Sequence, residues 1–425
     1  MSIPKNKELL RSLTLKDAVG IGLGAIIGAG IFVVTGIAAG VSGPSFIIGL
    51  VIAGIIATFN ALSSAQLAAA YPFSGGTYEY GYRILNPLSG FSAGWLFLIS
   101  KITAASVVAI GFGSYFFQLL PVISPLIFSV IAVVLLTAAN LFGIRKAGML
   151  NLVIVSITVL SLIYLIVSGL PRVDIKNFKP LAPYGMKGIA QSAAILFFAF
   201  TGYARIATLA EEVNEPRKTI PRAIIITIIS SIILYLIVSI VAIGVIGTKS
   251  MAHSQAPLQV LANSLSTPGI QIVTIIGACT AMLGVLLSQI LGISRMMLAM
   301  GRRKDLPPFL QRIQGKYHIP QAAIITTGIL ILLILFTGTF EFIVMSATFT
   351  ILLYYSITNI AALKQPREEQ RYPKVIPIAG LTGCIAMSVS LPINVIVSGA
   401  GLLLTGFLTR IIIHRIYRRV DIKNT

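Results

Sequence analysis

Acidic side chains are scarce in this chain, and none falls where a buried charge could do chemistry. Twelve Asp and Glu stand against thirty-two Lys and Arg. All twelve lie outside the centres of the long apolar runs. That removes the paired carboxylates of acid–base catalysis and the clusters that hold metals. Histidine is as rare. His253, His318 and His414 sit in polar segments or near one end, so no nucleophile has a buried base beside it. The two cysteines, Cys279 and Cys384, lie within apolar runs and form neither a disulfide framework nor a metal spacing. No catalytic residue, metal ligand or cofactor is expected, and an intramembrane enzyme is disfavoured.

What the chain has instead is apolar length. It is 56% hydrophobic and 10% charged, with mean hydropathy +0.94. Soluble domains carry about 25% charged residues. An all-α polytopic membrane protein follows, with no separate soluble domain. Met1–Lys16 is polar, and the first apolar run is too long for a signal-peptide core. Runs of spanning length number twelve, at about 18–40, 46–69, 90–117, 123–142, 148–170, 188–210, 222–247, 270–298, 321–338, 340–363, 376–392 and 394–413. With the N-terminus cytoplasmic, inside segments hold most of the basic residues, and outside loops hold five: Arg172, Lys176, Lys179, Lys187 and Lys249. That bias places both termini in the cytoplasm of a multi-pass plasma-membrane protein. The net charge of +20 is therefore topogenic, and nucleic acid is not expected as a partner. Three of the four longer connections, Pro171–Lys187, Thr248–Pro268 and Gly301–Pro320, can form short surface helices. The fourth is Tyr71–Pro87.

Thr14–Gly40 carries the sharpest signal. It is long enough to span, yet Gly24-Ala25-Ile26-Ile27-Gly28-Ala29-Gly30 places three glycines at its centre. Each weakens helix by about 1 kcal/mol relative to alanine. Lipid offers backbone groups no partners. Unwinding at mid-depth therefore points to amides presented to a ligand, while small residues for tight helix packing are the plainer account. The sixth run also reads as interrupted, with Thr201, Gly202 and Arg205 at mid-depth. Paired interruptions in equivalent halves point to an inverted repeat with a midplane site. No residue-level identity links the halves, so the repeat rests on span positions.

These residues resemble the amino acid–polyamine–organocation superfamily of permeases, and bacterial permeases related to cationic amino acid transporters in particular. The likeness is carried by Gly24–Phe32, Tyr71–Tyr78, Phe197–Tyr203 leading to Ala210–Arg217, then Pro221-Arg222-Ala223, Ser294-Arg295, Ala299-Met300 before Leu306-Pro307, and Arg371-Tyr372-Pro373. Each motif alone is weak, and their order is strong. The resemblance implies twelve transmembrane helices in a five-plus-five inverted repeat (LeuT-like) with helices 1 and 6 broken. The first repeat would cover 14–170, the second 188–363, and two peripheral helices 376–413. It also implies alternating-access amino acid transport across the lipid bilayer by a monomer or homodimer.

By the same resemblance, amides of Gly28, Ala29 and Gly30 hold a substrate carboxylate. Ala29 stands where serine is frequent. The Ile26 carbonyl, with carbonyls around Phe198, Ala199 and Thr201, would hold the ammonium, and Phe198 would gate the site. Glu211, Glu212 and Glu215 can pair with Arg217, Lys218 or Arg222 as an inward latch; a solvated charged loop is the plainer account. In proton-coupled members a lysine occupies the fifth span, and here that position aligns with Thr158. Lys101 and Arg205 are the cations at depth. A buried lysine can titrate near neutral pH and an arginine effectively cannot, so Lys101 is a candidate coupling group and Arg205 a candidate fixed charge. Snorkelling or structural hydrogen bonds are the plainer roles for both, and snorkelling explains Arg295. The main alternative is a facilitative carrier or exchanger of small amines or polyamines without proton coupling. A sensor would usually carry a soluble signalling domain.

Overall fold

The computed structural model describes residues 13–71, 75–142, 147–207, 213–314 and 319–423; at 147–151, 205, 207, 217, 414 and 416–423 it describes the backbone alone. Helices begin where sequence chemistry can cap them. Thr14 and Asp17 form a reciprocal capping box at α1, Leu15–Ile26. The chain leaves α1 at Ile27 (φ −77°, ψ 102°), passes through a π-helical turn, Gly30–Val34, and resumes as α2, Thr35–Ser42. Gly43, at φ 63°, and Pro44 then redirect it into α3, Phe46–Ala70.

Beyond Tyr71 come α4, Thr77–Tyr80, and a second π-helical turn, Gly81–Leu85. Asn86 accepts from the Ser89 amide and starts α5, Pro87–Leu119, with proline at the first helical position. There follow α6, Pro125–Leu141, α7, Ala147–Gly169, and α8, Gly185–Phe197. A 3₁₀ segment, Phe198–Tyr203, joins α8 to α9, Ala204–Ala207. The remaining helices are α10, Pro216–Ala252, α11, Pro257–Ser264, α12, Ile270–Arg302, α13, Gln321–Leu335, α14, Phe340–Lys364, α15, Val375–Ser390, and α16, Ile393–Lys423. The long connections do form short helices, at Leu170–Arg172, Ile175–Phe178, α11 and Pro308–Gln311.

Among the described residues, seven helical runs are long and apolar enough to cross a membrane: Leu15–Ala70, Pro87–Leu119, Leu152–Arg172, Lys218–Ala252, Ile270–Arg302, Phe340–Lys364 and Ile393–Ile413. The first contains the turns at Ile27 and Gly43, so it is not one straight rod. Helices α6, α13 and α15 are apolar but shorter. Two sets of contacts, joined by α14 on α15 and α3 and by α1 on α7, organise the molecule. In one, α3 lies against α8, α10 and α15, and α1 against α10; in the other, α5 lies against α6, α12 and α14, and α12 against α7 and α13. Isoleucines 226, 229, 233, 237 and 240 of α10 point outward, as suits a lipid-facing stripe. Buried hydroxyls return to the carbonyl one turn back, as with Thr35 on Ile31 (2.8 Å) and Thr348 on Val344 (2.9 Å).

Candidate functional site

The helix break is real and is confined to a few residues. Ile27 is extended. The Gly28 carbonyl accepts from the amides of Ile31 (3.2 Å) and Phe32 (3.3 Å), which restarts the helix. Among the described residues, no backbone hydrogen bond is donated by the amides of Gly28, Ala29 or Gly30. All three residues are buried. Three buried N–H groups without backbone acceptors, at the positive end of a half-helix, are groups that an anion could satisfy. The Ile26 carbonyl, expected to accept from an ammonium, already accepts from the hydroxyl of Tyr235 on α10 at 2.9 Å.

The sixth apolar run behaves differently. It tightens into a 3₁₀ segment rather than unwinding. The Thr201 hydroxyl donates to the Phe198 carbonyl (3.0 Å), and the Tyr355 hydroxyl donates to the Thr201 carbonyl (3.4 Å). Phe198 and Ala199 are buried. This segment lies directly on the first break. A Cβ at Gly30 would stand 2.5 Å from the Ala199 Cβ and 2.6 Å from its Cα, and one at Gly202 would strike the Ala25 carbonyl. The close-packing reading of the glycines is met at two of them. Gly30 and Gly202 permit close packing, while the amides from Gly28 to Gly30 stay unpaired by backbone.

The walls are apolar. Val285 of α12 faces Gly28, its Cγ2 3.0 Å from where a Cβ would be. One residue earlier, Gly284 packs against Ile154 of α7. Thr158 lies one turn from Ile154 along α7, and its hydroxyl donates to the Ile154 carbonyl at 2.8 Å and faces that of Gly277 at 3.4 Å. α7 also meets α1 directly, Gly20 packing on Leu152, and neither Thr158 nor Ile154 titrates. Lys101 is half-buried on α5, and no hydrogen bond or ion pair engages it among the described residues. Its height follows from helix register. Gly111 meets Met282 and Gly94 meets Met300, so Val285 is level with Val108, and Lys101 lies seven residues, about 10 Å, toward the Met300 end. Arg205 belongs to α9, and its side chain lies outside the described residues.

At the Met300 end sits a charged cluster that the sequence reading missed. Arg303 grips the Glu79 carboxylate with contacts of 2.6 and 2.7 Å, and Arg83 adds a third at 2.6 Å. Asp305, 1% exposed, accepts from the hydroxyls of Tyr78 (2.7 Å) and Tyr82 (2.5 Å) and faces Arg410 of α16 at 3.5 Å. Burial, and then the Asp305 carboxylate, push both phenols above their ordinary range, so they remain neutral donors. The legible signal was Glu79 and Arg83 at i, i+4; Asp305 was hidden in a basic run. Of the expected latch, Glu215 and Lys218 pair at 3.0 Å, both strongly exposed, which adds little. Glu211, Glu212 and the Arg217 side chain lie outside the described residues. At the opposite end, a cavity of about 530 Å³ is lined by residues including Gly36, Gly40, His253, Gln255 and Glu341.

With that geometry in view, residues 13–413 match the family described as amino acid permease. The chain belongs to that family, within the amino acid–polyamine–organocation superfamily. It is a transporter and not an enzyme. An uncharacterized transporter of Mycobacterium tuberculosis is 38% identical over 98% of this chain and 95% of its own length. The branched-chain amino acid permease BcaP of Bacillus subtilis is 32% identical over 75% of this chain and 72% of its own. A methylthioribose transporter of the same organism is 30% identical over 91% and 90%.

Proposed function

We propose that this permease moves amino acids across the plasma membrane by alternating access, with the substrate carboxylate on the amides of Gly28, Ala29 and Gly30. The observation that carries this reading is the set of three buried amides without backbone acceptors, held against the sixth apolar run. The ammonium would lie near the carbonyls of Ile26, Phe198, Ala199 and Thr201. Those of Ile26, Phe198 and Thr201 each already accept one hydroxyl, and a carbonyl oxygen can accept a second donor. The chain crosses twelve times, as two inverted five-helix repeats with α15 and α16 peripheral. Both termini and the Glu79–Arg303–Asp305 cluster face the cytoplasm, and the 530 Å³ cavity opens outside. Relatives named for branched-chain amino acids and for methylthioribose agree with small polar metabolites as cargo. A small-amine facilitator would leave the three amides without an anion. With Thr158 and Ile154 on α7, a titrating lysine is missing, and transport runs as exchange or uniport.

The test is competition on the purified protein in liposomes. The substrate must need both a free α-carboxylate and a free α-ammonium. Decarboxylated amines should compete at least tenfold more weakly than their parent amino acids. Equal competition would make this an amine site.

A further inference from the structure

The charge inventory around the helix break narrows the cargo. Of the acidic residues, Asp17 is taken up by the Thr14 cap, Glu79 by arginines and Asp305 by tyrosines and Arg410. Asp174, Glu215, Glu341, Glu368 and Glu369 lie at helix ends or in connections. The side chains of Glu8, Glu211, Glu212 and Asp421 are outside the described residues and away from the span centres in sequence. Around the break stand Ile27, Val285 against the Gly28 position and Ala199 against Gly30, with Phe198 beside Ala199 and the Thr201 hydroxyl bonded to the Phe198 carbonyl. The cation at depth with a described position, Lys101, has no anion engaged with it among the described residues and lies about 10 Å along α5.

We infer that the transported amino acid has an uncharged, apolar side chain, and that Val285 limits its size. The inference rests on the carboxylate reading of the Gly28–Gly30 amides. A lysine or arginine side chain would bring a second cation into a wall that offers no carboxylate, and burying an unpaired charge is strongly unfavourable. Lys101 would add repulsion through a low-dielectric interior. A polar neutral side chain would meet Val285, Ile27 and Phe198, while the hydroxyls of Thr201 and Tyr235 already donate to carbonyls. An aliphatic side chain meets surfaces that favour it. Because a Val285 methyl group touches the Gly28 position, the bulk of that side chain bears on the room beside the carboxylate site.

The experiment is a competition panel on the full-length protein reconstituted in liposomes: alanine, valine, leucine, methionine and phenylalanine; lysine and arginine; aspartate and glutamate. Alanine reports the main-chain site alone, because it has almost no side chain. Valine or leucine should compete at least tenfold better than lysine, arginine, aspartate or glutamate. Lysine or arginine competing as well as leucine would overturn the inference and leave amino acid transport standing. Preference for glutamate or aspartate would also overturn it and would make Lys101 the counter-ion. Failure of alanine and every other amino acid to bind would remove the carboxylate reading, and this inference with it. Val285→Ala should shift preference at least threefold toward phenylalanine over valine. Lys101→Met should narrow the gap between leucine and lysine while alanine competition stays unchanged. If both folded variants keep the wild-type ranking, Val285 and Lys101 do not shape the site.

Discussion

The first and sixth apolar runs contain the same ingredients and resolve them differently. The first has three glycines in seven residues, and two of its residues leave helical geometry before a π-helical turn restores it. The sixth has the single Gly202 within Phe198–Tyr203, and it tightens into 3₁₀ geometry without opening. Side chains maintain the difference. In the sixth run the hydroxyls of Thr201 and Tyr355 cover carbonyls. In the first run the corresponding cover reaches only the Ile26 carbonyl, from Tyr235, and the amides from Gly28 to Gly30 have no backbone acceptor among the described residues. Glycine density decides whether the chain opens, and nearby hydroxyls decide which groups are left for a ligand.

Three substitutions test that contrast. Gly30→Val should have the largest effect, because the new side chain meets the Ala199 backbone, which cannot swing aside. Binding should vanish, and thermal unfolding should show a loss of about 1–3 kcal/mol from overpacking. Wild-type binding and melting together would mean that the two runs do not press on each other there. Gly28→Val is the cleaner probe of the amides. It meets a Val285 methyl group at 3.0 Å rather than backbone, so the protein should fold, yet affinity for substrate should drop more than tenfold because a branched side chain blocks approach to backbone. Unchanged affinity, measured by titration of the purified protein, would sink the carboxylate assignment. Tyr235→Phe should be mildest. It removes one buried hydrogen bond, worth about 0.5–1.5 kcal/mol net, and frees the Ile26 carbonyl. A lower melting temperature with equal or tighter substrate binding is expected; weaker binding would show that the hydroxyl itself supports the site.

The break in the first run was legible in the sequence. Gly28, Ala29 and Gly30 were marked by glycine density in an apolar run, a signal local in sequence. Ala199 and Thr201 were marked by their place in the sixth run, and the structure sets Ala199 on Gly30. The wall residues were not legible. Val285 is an ordinary apolar residue in an apolar helix, and only the packing of α12 against the first run brings it to the break. Thr158, singled out by alignment, is buried on α7, where its hydroxyl donates to the Ile154 carbonyl and faces that of Gly277 on α12. The charged cluster was half visible. Glu79 and Arg83 share a helical face, while Arg303, Asp305 and Arg410 join them from more than two hundred residues away.

The sequence by itself determined the solvent, the secondary structure and the point of failure in the first helix. Hydropathy, charge bias and glycine propensity act over one or two turns and need no partner. Tertiary structure alone decided which unpaired groups are covered. Coverage depends on side chains such as Tyr235, Tyr355 and Val285 arriving from other helices, and a linear pattern does not encode where two helices cross.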